Sequence, residues 1–172
     1  MEIATLSVIE VPSDVLALIK SCFDSPGEAR LVAALHAAGA ATVSLVAREQ
    51  GKVVGHCLFS PVTLQTPNEP QPFGVGLAPV CVAETARNKR VGLSLVCEGL
   101  EASRRAGAAY AVVLGKLSYY SRAGFIPAHR FGLRSIYPAP EDAFMALELV
   151  PGSLTGQSGF VHYHPAFDTL ES

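Results

Sequence analysis

Three cations within four residues form the first cluster whose types and spacing could do chemistry. Arg87, Lys89 and Arg90 stand directly before a segment with helical periodicity, and Gly92 lies in its first turn. The first N–H groups of a helix have no partner within it and carry positive partial charge. Glycine lets a ligand approach the backbone closely. The turn is therefore a candidate seat for a diphosphate, although basic residues that merely solvate a loop explain the pattern equally well.

A tyrosine pair follows one predicted strand later. Tyr119-Tyr120 stands just before Ser121-Arg122-Ala123-Gly124-Phe125. A phenol has a reference pKa near 10 and a thiol one near 8.5, so a neutral tyrosine can hydrogen-bond a departing thiolate and hand it a proton. The plainer interpretation is a half-buried aromatic residue whose hydroxyl binds backbone. Together the two clusters suit an enzyme that uses a phosphate-bearing carrier such as coenzyme A.

The other reactive side chains have ordinary structural explanations. The four cysteines form no CxxC pair and no zinc spacing, and Cys81, with no activating base nearby, is predicted to be an inert core thiol. His56 alternates with Val54 and Leu58, so a hydrogen-bonded core histidine is favoured over a general base. No base is assigned. The other candidates for a general base are equally well explained as helix-capping, solvated or sheet-edge residues: Glu28, Glu84, His162 and His164.

The composition predicts one domain over residues 1–172. A hydrophobic fraction of 49% and a charged fraction of 16% argue against disorder. A net charge of −2 gives no global field that would recruit nucleic acid. Neither a signal peptide nor a membrane span is expected, because Glu2 and Asp14 interrupt the start and Gly39 interrupts the longest apolar stretch. We therefore expect a cytoplasmic protein without nucleic-acid or membrane partners.

Hydrophobic periodicity predicts strands that alternate with a few helices. Helices are expected from a cap at Ser13 or Asp14, over residues 28–38, and from Arg90 to about residue 106. A hairpin turn is expected at residues 49–52. Pro79 cannot donate to a sheet, so its strand should be bent, bulged or splayed there. The predicted strands are residues 3–9, 43–48, 53–62, 73–83, 109–114, 144–149 and 160–163, with edge pairing at 130–135.

The order of motifs along the chain resembles the GNAT family of N-acetyltransferases, in particular its YhbS-like bacterial subgroup of predicted acetyltransferases. The similar segments run nearly from end to end: Glu28-Ala29, Val54-Gly55-His56, Phe59-Ser60-Pro61-Val62, Leu77-Ala78-Pro79-Val80, Leu95-Val96, Glu98-Gly99-Leu100, Val112-Val113-Leu114-Gly115, Tyr119-Tyr120-Ser121-Arg122, Gly124-Phe125 and Tyr163-His164-Pro165-Ala166-Phe167.

The resemblance implies an α/β (α+β) fold: a mixed, mostly antiparallel central sheet with one splayed strand pair, flanked by helices. It implies acetyl-CoA as cosubstrate, and no metal. The family seats the pyrophosphate on a Q/R-x-x-G-x-G/A turn, and here Arg90 stands at the first glycine, where its side chain could crowd the diphosphate or grip it. The implied cofactor-binding residues are Arg87, Asn88, Lys89, Arg90, Val91, Gly92 and Leu93.

The resemblance also implies where the rest of the carrier lies and how the reaction runs. The backbone of Val80 and Val82 would pair with the pantetheine arm as an added strand would, and a main-chain N–H of that strand would polarise the acetyl carbonyl. Tyr120 would be the general acid, whereas Tyr119 is expected to pack. The expected activity is acetyl transfer to a primary amine of a small molecule, peptide or protein.

An alternative is a GNAT-fold module that binds coenzyme A, or regulates, without turnover. The acceptor is left open, with its pocket expected from residues 23–28, 63–73 and those after Phe125. The acids Glu69, Glu141 and Asp142 could attract a cationic amine but are equally well explained as solvated surface. An exposed edge strand near the C-terminus would allow a homodimer without requiring one.

Overall fold

A nine-stranded mixed sheet organises the residues that the computed structural model describes, 1–67 and 69–171. Its strands are β1 (Glu2–Thr5), β2 (Val43–Glu49), β3 (Lys52–Gln65), β4 (Gly74–Val82), β5 (Tyr110–Leu114), β6 (Ile126–Pro127), β7 (Leu133–Ser135), β8 (Phe144–Glu148) and β9 (Gly159–Tyr163). The helices are α1 (Ser13–Cys22), α2 (Gly27–Ala37), α3 (Val91–Arg105) and α4 (Leu117–Tyr120). The strand order is β1-β2-β3-β4-β5-β8-β6, with β9 paired to β3 and β7 to β9. Among the described residues, only the β4–β5 and β7–β9 pairs run parallel, which confirms the predicted fold class.

The two faces of the sheet carry separate apolar layers. Leu58 and Phe59 are neighbours on β3 and therefore point to opposite faces. Phe59 packs in a cluster with Leu95 and Val96 of α3, whereas Leu58 packs with the cluster of α1 and α2, which includes Ile19. Burial of one such side chain contributes roughly 1.5–3 kcal/mol. The helical stripes seen in the sequence thus fix α3 on one face and the first two helices on the other.

Helix α3 approaches the sheet closely because a glycine faces it. A Cβ atom built on Gly99 would lie 2.2 Å from Cε1 of Phe59, so any larger residue would push the helix away from β3. This close packing holds the N-terminus of α3 next to the end of β4. The fold thereby positions the basic turn that precedes the helix.

Strands β4 and β5 separate halfway along β4. They pair from Gly74↔Tyr110 to Leu77↔Val113, and beyond Leu77 β4 pairs only with β3. The register with β3 shifts between Cys57 and Phe59, where β4 carries one extra residue next to Pro79. The predicted break at Pro79 and the splayed strand pair are therefore both present.

The predicted hairpin is confirmed, whereas the first strand and the first cap differ from prediction. Glu49 pairs with Lys52 across a two-residue turn with positive φ at both central positions. Strand β1 ends at Thr5 rather than at residue 9, because the chain turns away and the Val8 carbonyl accepts a hydrogen bond from His36 Nδ1 at 2.8 Å.

The predicted cap at Ser13 or Asp14 is wrong. Pro12 stands at the capping position of α1 with an extended ψ of 147°, and no side chain caps the helix. Asp14 lies in the first turn instead, where its Oδ1 accepts from the N–H of Val15. The proline fixes the chain before Ser13, so the helix begins one or two residues earlier than a cap at Ser13 or Asp14 would give.

Two later segments are also corrected. Strand β3 continues to Gln65 because β9 pairs with its last four residues, a long-range contact that local periodicity does not encode. Edge pairing predicted for residues 130–135 is confined to β7, since Ala128–Phe131 form a 3₁₀ turn. Among the described residues, no helix is both long and apolar enough to cross a membrane.

Candidate functional site

The turn before α3 holds two non-glycine residues in left-handed backbone conformation. Asn88 has a φ of 66° and Arg90 one of 63°, values uncommon outside glycine. Arg90 occupies the capping position of α3 and makes no side-chain cap hydrogen bond. The arginine that replaces the family's glycine therefore keeps a glycine-like backbone. The first N–H groups of α3 have no partner inside the helix, and no side chain at the capping position bonds them.

A cavity of about 490 Å³ lies against this turn. It brings together most of the residues that the sequence predicted for the diphosphate, and the Arg90 side chain is exposed at its wall. Lys89 is exposed and does not line it, and Val80 lies deeper along β4. The lining residues are Val82, Ala86, Arg87, Asn88, Arg90, Val91, Gly92, Leu93, Tyr119 and Arg122.

Tyr119 and Arg122 reach this cavity although the sequence analysis did not assign them to it. A Cβ atom on Gly92 would lie 2.4 Å from the Tyr119 hydroxyl, so that phenol rests on the first turn of α3. Burial raises the pKa of Tyr119, and the nearby charge of Arg122 opposes the rise. Tyr119 packs against Tyr120 and Gly92, as expected, and it also borders the cavity. The Tyr-x-x-Arg spacing of Tyr119 and Arg122 after β5 was the signal that could have found this pair.

The unpaired edge of β4 offers its backbone to the gap beside β5. The N–H of Ala83 donates to the Val54 carbonyl of β3 at 2.7 Å. Backbone groups alternate sides along a strand, so those of Val80 and Val82 face away from β3. The Val82 carbonyl accepts from Arg87 Nε at 3.4 Å and from the Cys22 thiol at 3.5 Å. The edge thus runs from the β4–β5 separation toward the cationic cavity.

Tyr120 closes α4 immediately beyond β5. Its ring lies edge-on to Tyr119 at 4.9 Å and to Phe125 at 5.9 Å between centroids. Burial raises the pKa of Tyr120 to about 12, with smaller contributions from Tyr119 and from Cys57 of β3. Tyr120 in turn contributes to the raised pKa of Tyr163 on β9. The Tyr120 phenol is therefore protonated at neutral pH.

A buried hydrogen-bonded chain connects two histidines on the opposite face. Ser44 Oγ lies 3.0 Å from His56 Nε2 and 3.0 Å from His36 Nε2. His56 is in the core, as predicted, but its Nδ1 has no hydrogen-bond partner among the described residues. Burial, reinforced by His36, lowers the pKa of His56 to about 3. Such an imidazole is too weak a base to deprotonate an ammonium ion.

Cys81 is buried, as predicted. Burial is the largest cause of the raised pKa of its thiol, and Cys22 adds to it. The thiolate needed for nucleophilic attack is therefore disfavoured. Within the described part of the chain, no cluster of three or more His, Cys, Asp or Glu side chains could hold a metal ion.

A sheet with one separated parallel pair, a cationic helix start at the mouth of the gap and a phenol beside it together define an acyl-CoA N-acyltransferase architecture. Residues 10–128 match the family model of the acetyltransferase (GNAT) domain. The chain belongs to the GNAT family.

Relatives similar over almost the full length support this assignment. The chain is 38% identical to the uncharacterized N-acetyltransferase YhbS of Escherichia coli (strain K12), over 93% of this chain and 96% of that protein. The crystal structure of E. coli YhbS in complex with CoA superposes with a TM-score of 0.86 at 37% identity, covering 97% of this chain and 91% of the other. A GNAT family acetyltransferase from Brucella melitensis, in complex with acetyl-CoA, gives 0.70 at 32% identity over 97% and 99%.

Proposed function

We propose that this protein transfers the acetyl group of acetyl-CoA to a primary amine. The amine nitrogen forms a bond to the acetyl carbon, the carbon–sulfur bond breaks, and the proton lost by the amine balances the one gained by the coenzyme A thiolate. The observation that carries the proposal is the separation of β4 from β5 beyond Leu77, which opens onto the cationic cavity before α3.

The assignment of acetyl-CoA to this cavity rests on the positive charge of its arginines and on the backbone N–H groups at the start of α3. Three arginines line the cavity, Arg87, Arg90 and Arg122, and the first turn of α3, whose N–H groups have no partner within the helix, lines the same space. Two relatives of more than 30% identity hold CoA or acetyl-CoA. We assign the pyrophosphate to residues 87–93, with Lys89 contributing charge from the rim, and the pantetheine arm to the backbone of Val80 and Val82.

Tyr120 is the residue that we assign to the leaving group. Its raised pKa keeps the phenol protonated, so the hydroxyl can donate to the sulfur as negative charge develops there. An N–H of the free β4 edge would polarise the acetyl carbonyl. No side chain of suitable pKa is assigned as base, and the amine would lose its proton to water.

The test follows free thiol release from acetyl-CoA with a panel of primary amines. Tyr120→Phe should lower kcat by roughly 10²- to 10⁴-fold, while acetyl-CoA still raises the melting temperature. Tyr110→Phe is the matched control, because it removes another buried phenol whose hydroxyl has no partner among the described residues. Unchanged kcat in Tyr120→Phe would refute the acid role. Acetyl-CoA binding without turnover of any amine would instead favour the catalytically weak or inactive CoA-binding module.

The remaining sequence predictions stand as parts of this proposal. We infer one catalytic domain over residues 1–172, a cytoplasmic location and no nucleic-acid partner. A homodimer would need the sheet edge near the C-terminus, where β7 pairs on one side with β9. Sedimentation of the protein with and without acetyl-CoA tests that association.

A further inference from the structure

A second cavity, of about 260 Å³, opens where β4 and β5 part. Leu77 and Ala78 of β4 and Leu114 of β5 form its floor. Leu77 is the last residue of β4 that pairs with β5. An acetyl group carried along the free edge of β4 toward this fork would arrive at the mouth of the cavity. The cavity therefore lies where the molecule that receives the acetyl group would bind.

The wall of this cavity is aromatic. The Tyr163 ring lies 5.9 Å from Tyr137 and 4.9 Å from Phe167, centroid to centroid, in tilted contacts. All three rings line the cavity. Contacts of this kind between aromatic rings are favourable beyond the effect of buried area alone, whereas a branched aliphatic group would gain from the buried area. The wall therefore favours an apolar guest.

No charged side chain lines the cavity among the described residues. Burial strongly raises the pKa of Tyr163, which shows how poorly this space solvates a charge. The nearest acids expected to attract a cationic amine lie elsewhere: Glu141 lines a neighbouring cavity and contacts His129 at 3.8 Å. An ammonium ion would be disfavoured at the fork, whereas the neutral amine needed for attack would not.

We propose that the acceptor is a primary amine carrying a neutral aromatic or branched aliphatic group, which occupies this cavity while the nitrogen faces the thioester. The proposal rests on the acetyltransferase function proposed above. The volume lies just below the ~300–1,000 Å³ of typical small-molecule sites, so it suits one ring or one branched group rather than a whole large ligand. Acceptors with several cationic groups do not fit this chemistry.

The experiment compares matched primary amines with the full-length protein and saturating acetyl-CoA. 2-Phenylethylamine and 3-methylbutylamine represent the apolar class, and ethanolamine and putrescine the polar and cationic classes. Values of kcat/KM are expressed per neutral amine, so that differences in amine pKa cancel. We expect the apolar amines to exceed ethanolamine by about 10- to 100-fold, as expected for a side group bound in an apolar pocket.

Ala78→Leu narrows the floor of the cavity and should remove that preference, because kcat/KM falls most for the apolar amines that would occupy the cavity. Ala139→Leu, at an exposed residue of the neighbouring cavity, is the matched control and should retain it. The amine series in the unmodified protein tests the idea even if Ala78→Leu fails to fold.

The outcomes separate the two proposals. Equal or better turnover of ethanolamine or putrescine would overturn the apolar acceptor and leave the acetyltransferase standing. No turnover of any amine, with acetyl-CoA still raising the melting temperature, would overturn the acceptor together with the catalytic role. Absence of any acetyl-CoA stabilisation would overturn the proposed function itself.

Discussion

The Tyr119 hydroxyl rests directly on Gly92: a Cβ atom at position 92 would lie 2.4 Å from it, and only 3.7 Å from the Tyr119 Cζ. Real Cβ contacts are never that short, so the first turn of α3 and the segment after β5 fit together only because residue 92 lacks a side chain. The contact joins the anion-binding turn to the short helix that carries Tyr120. The contact between Gly92 and Tyr119 thereby fixes the proposed diphosphate turn and the helix of Tyr120 relative to each other.

Gly92→Ala should destabilise the protein by about 1–2 kcal/mol, because the methyl group displaces the Tyr119 hydroxyl. Acetyl-CoA affinity should fall as well, since the displaced ring borders the cavity. Urea unfolding and isothermal titration measure the two effects.

Tyr119→Phe removes the oxygen that the new methyl group meets. In the double variant Gly92→Ala with Tyr119→Phe, most of the lost stability should return, with a coupling of roughly 0.5–3 kcal/mol. Simple additivity of the two single variants would contradict the contact.

Arg90→Gly should separate two effects of Arg90, the strain of its left-handed backbone and the charge that it places at the cavity wall. Glycine relieves a left-handed backbone, which is unfavourable by about 1–2 kcal/mol for other residues, but it loses about 0.5–1 kcal/mol through its freer unfolded chain. We expect a small net gain in stability. The acetyl-CoA dissociation constant should nevertheless rise roughly 3- to 10-fold, because a cation at the cavity wall is lost.

Arg122→Gln is the comparison for this variant. It removes a second cation from the same cavity without changing a residue of positive φ, so it should weaken acetyl-CoA binding and leave stability unchanged. Tighter binding by Arg90→Gly would show that the arginine crowds the diphosphate.

The contrast between Arg90 and Arg122 also shows what the sequence could and could not reveal. Local patterns were enough for the order of helices and strands, the basic turn and the break at Pro79, because each depends on neighbours in the chain. The place of Arg122 in the cavity depends on how the segment after β5 returns to α3, which no local pattern encodes. The left-handed backbone of Arg90 likewise reflects the turn as a whole rather than the preference of arginine.

The cavity that we propose for the acceptor could not be predicted from the sequence for the same reason. Its walls come from β4, β5, β9 and the C-terminal turn, which meet only in the folded sheet. The segments expected to form it, residues 23–28 and 63–73, contribute none of the lining residues. The lining residues from the predicted region after Phe125 are Tyr137, Tyr163, Phe167 and Leu170.

The pH profile of turnover tests the state of Tyr120. Its pKa of about 12 keeps the phenol protonated throughout the usual assay range. Activity should therefore rise with pH as the amine loses its proton, and should show no falling limb from Tyr120 below about pH 11. A falling limb near pH 8–9 that disappears in Tyr120→Phe would mean that the bound phenol is far more acidic. Steady-state rates from pH 6 to 10.5, with thiol release read at each point, provide the profile.

The buried His56 should make stability pH-dependent on the acid side. Its pKa is about 3 in the folded protein, against 6.5 for an ordinary histidine, because burial and His36 disfavour the imidazolium. Between these values the unfolded chain binds the extra proton, so its contribution to stability is full above about pH 6.5 and falls as the pH is lowered toward 3. One such group changes the unfolding free energy by up to about 1.4 kcal/mol per pH unit.

His56→Leu should flatten that slope, since leucine cannot take up a proton and Ser44 keeps its hydrogen bond to His36. Urea unfolding at pH 7, 6 and 5 measures the slope in both proteins. His162→Leu, at a sheet edge where the imidazole bonds Gln65, controls for loss of a histidine outside the core. If His56→Leu kept the full slope, acid sensitivity would have to come from other groups, and the imidazole would not be the buried neutral base that its lowered pKa indicates.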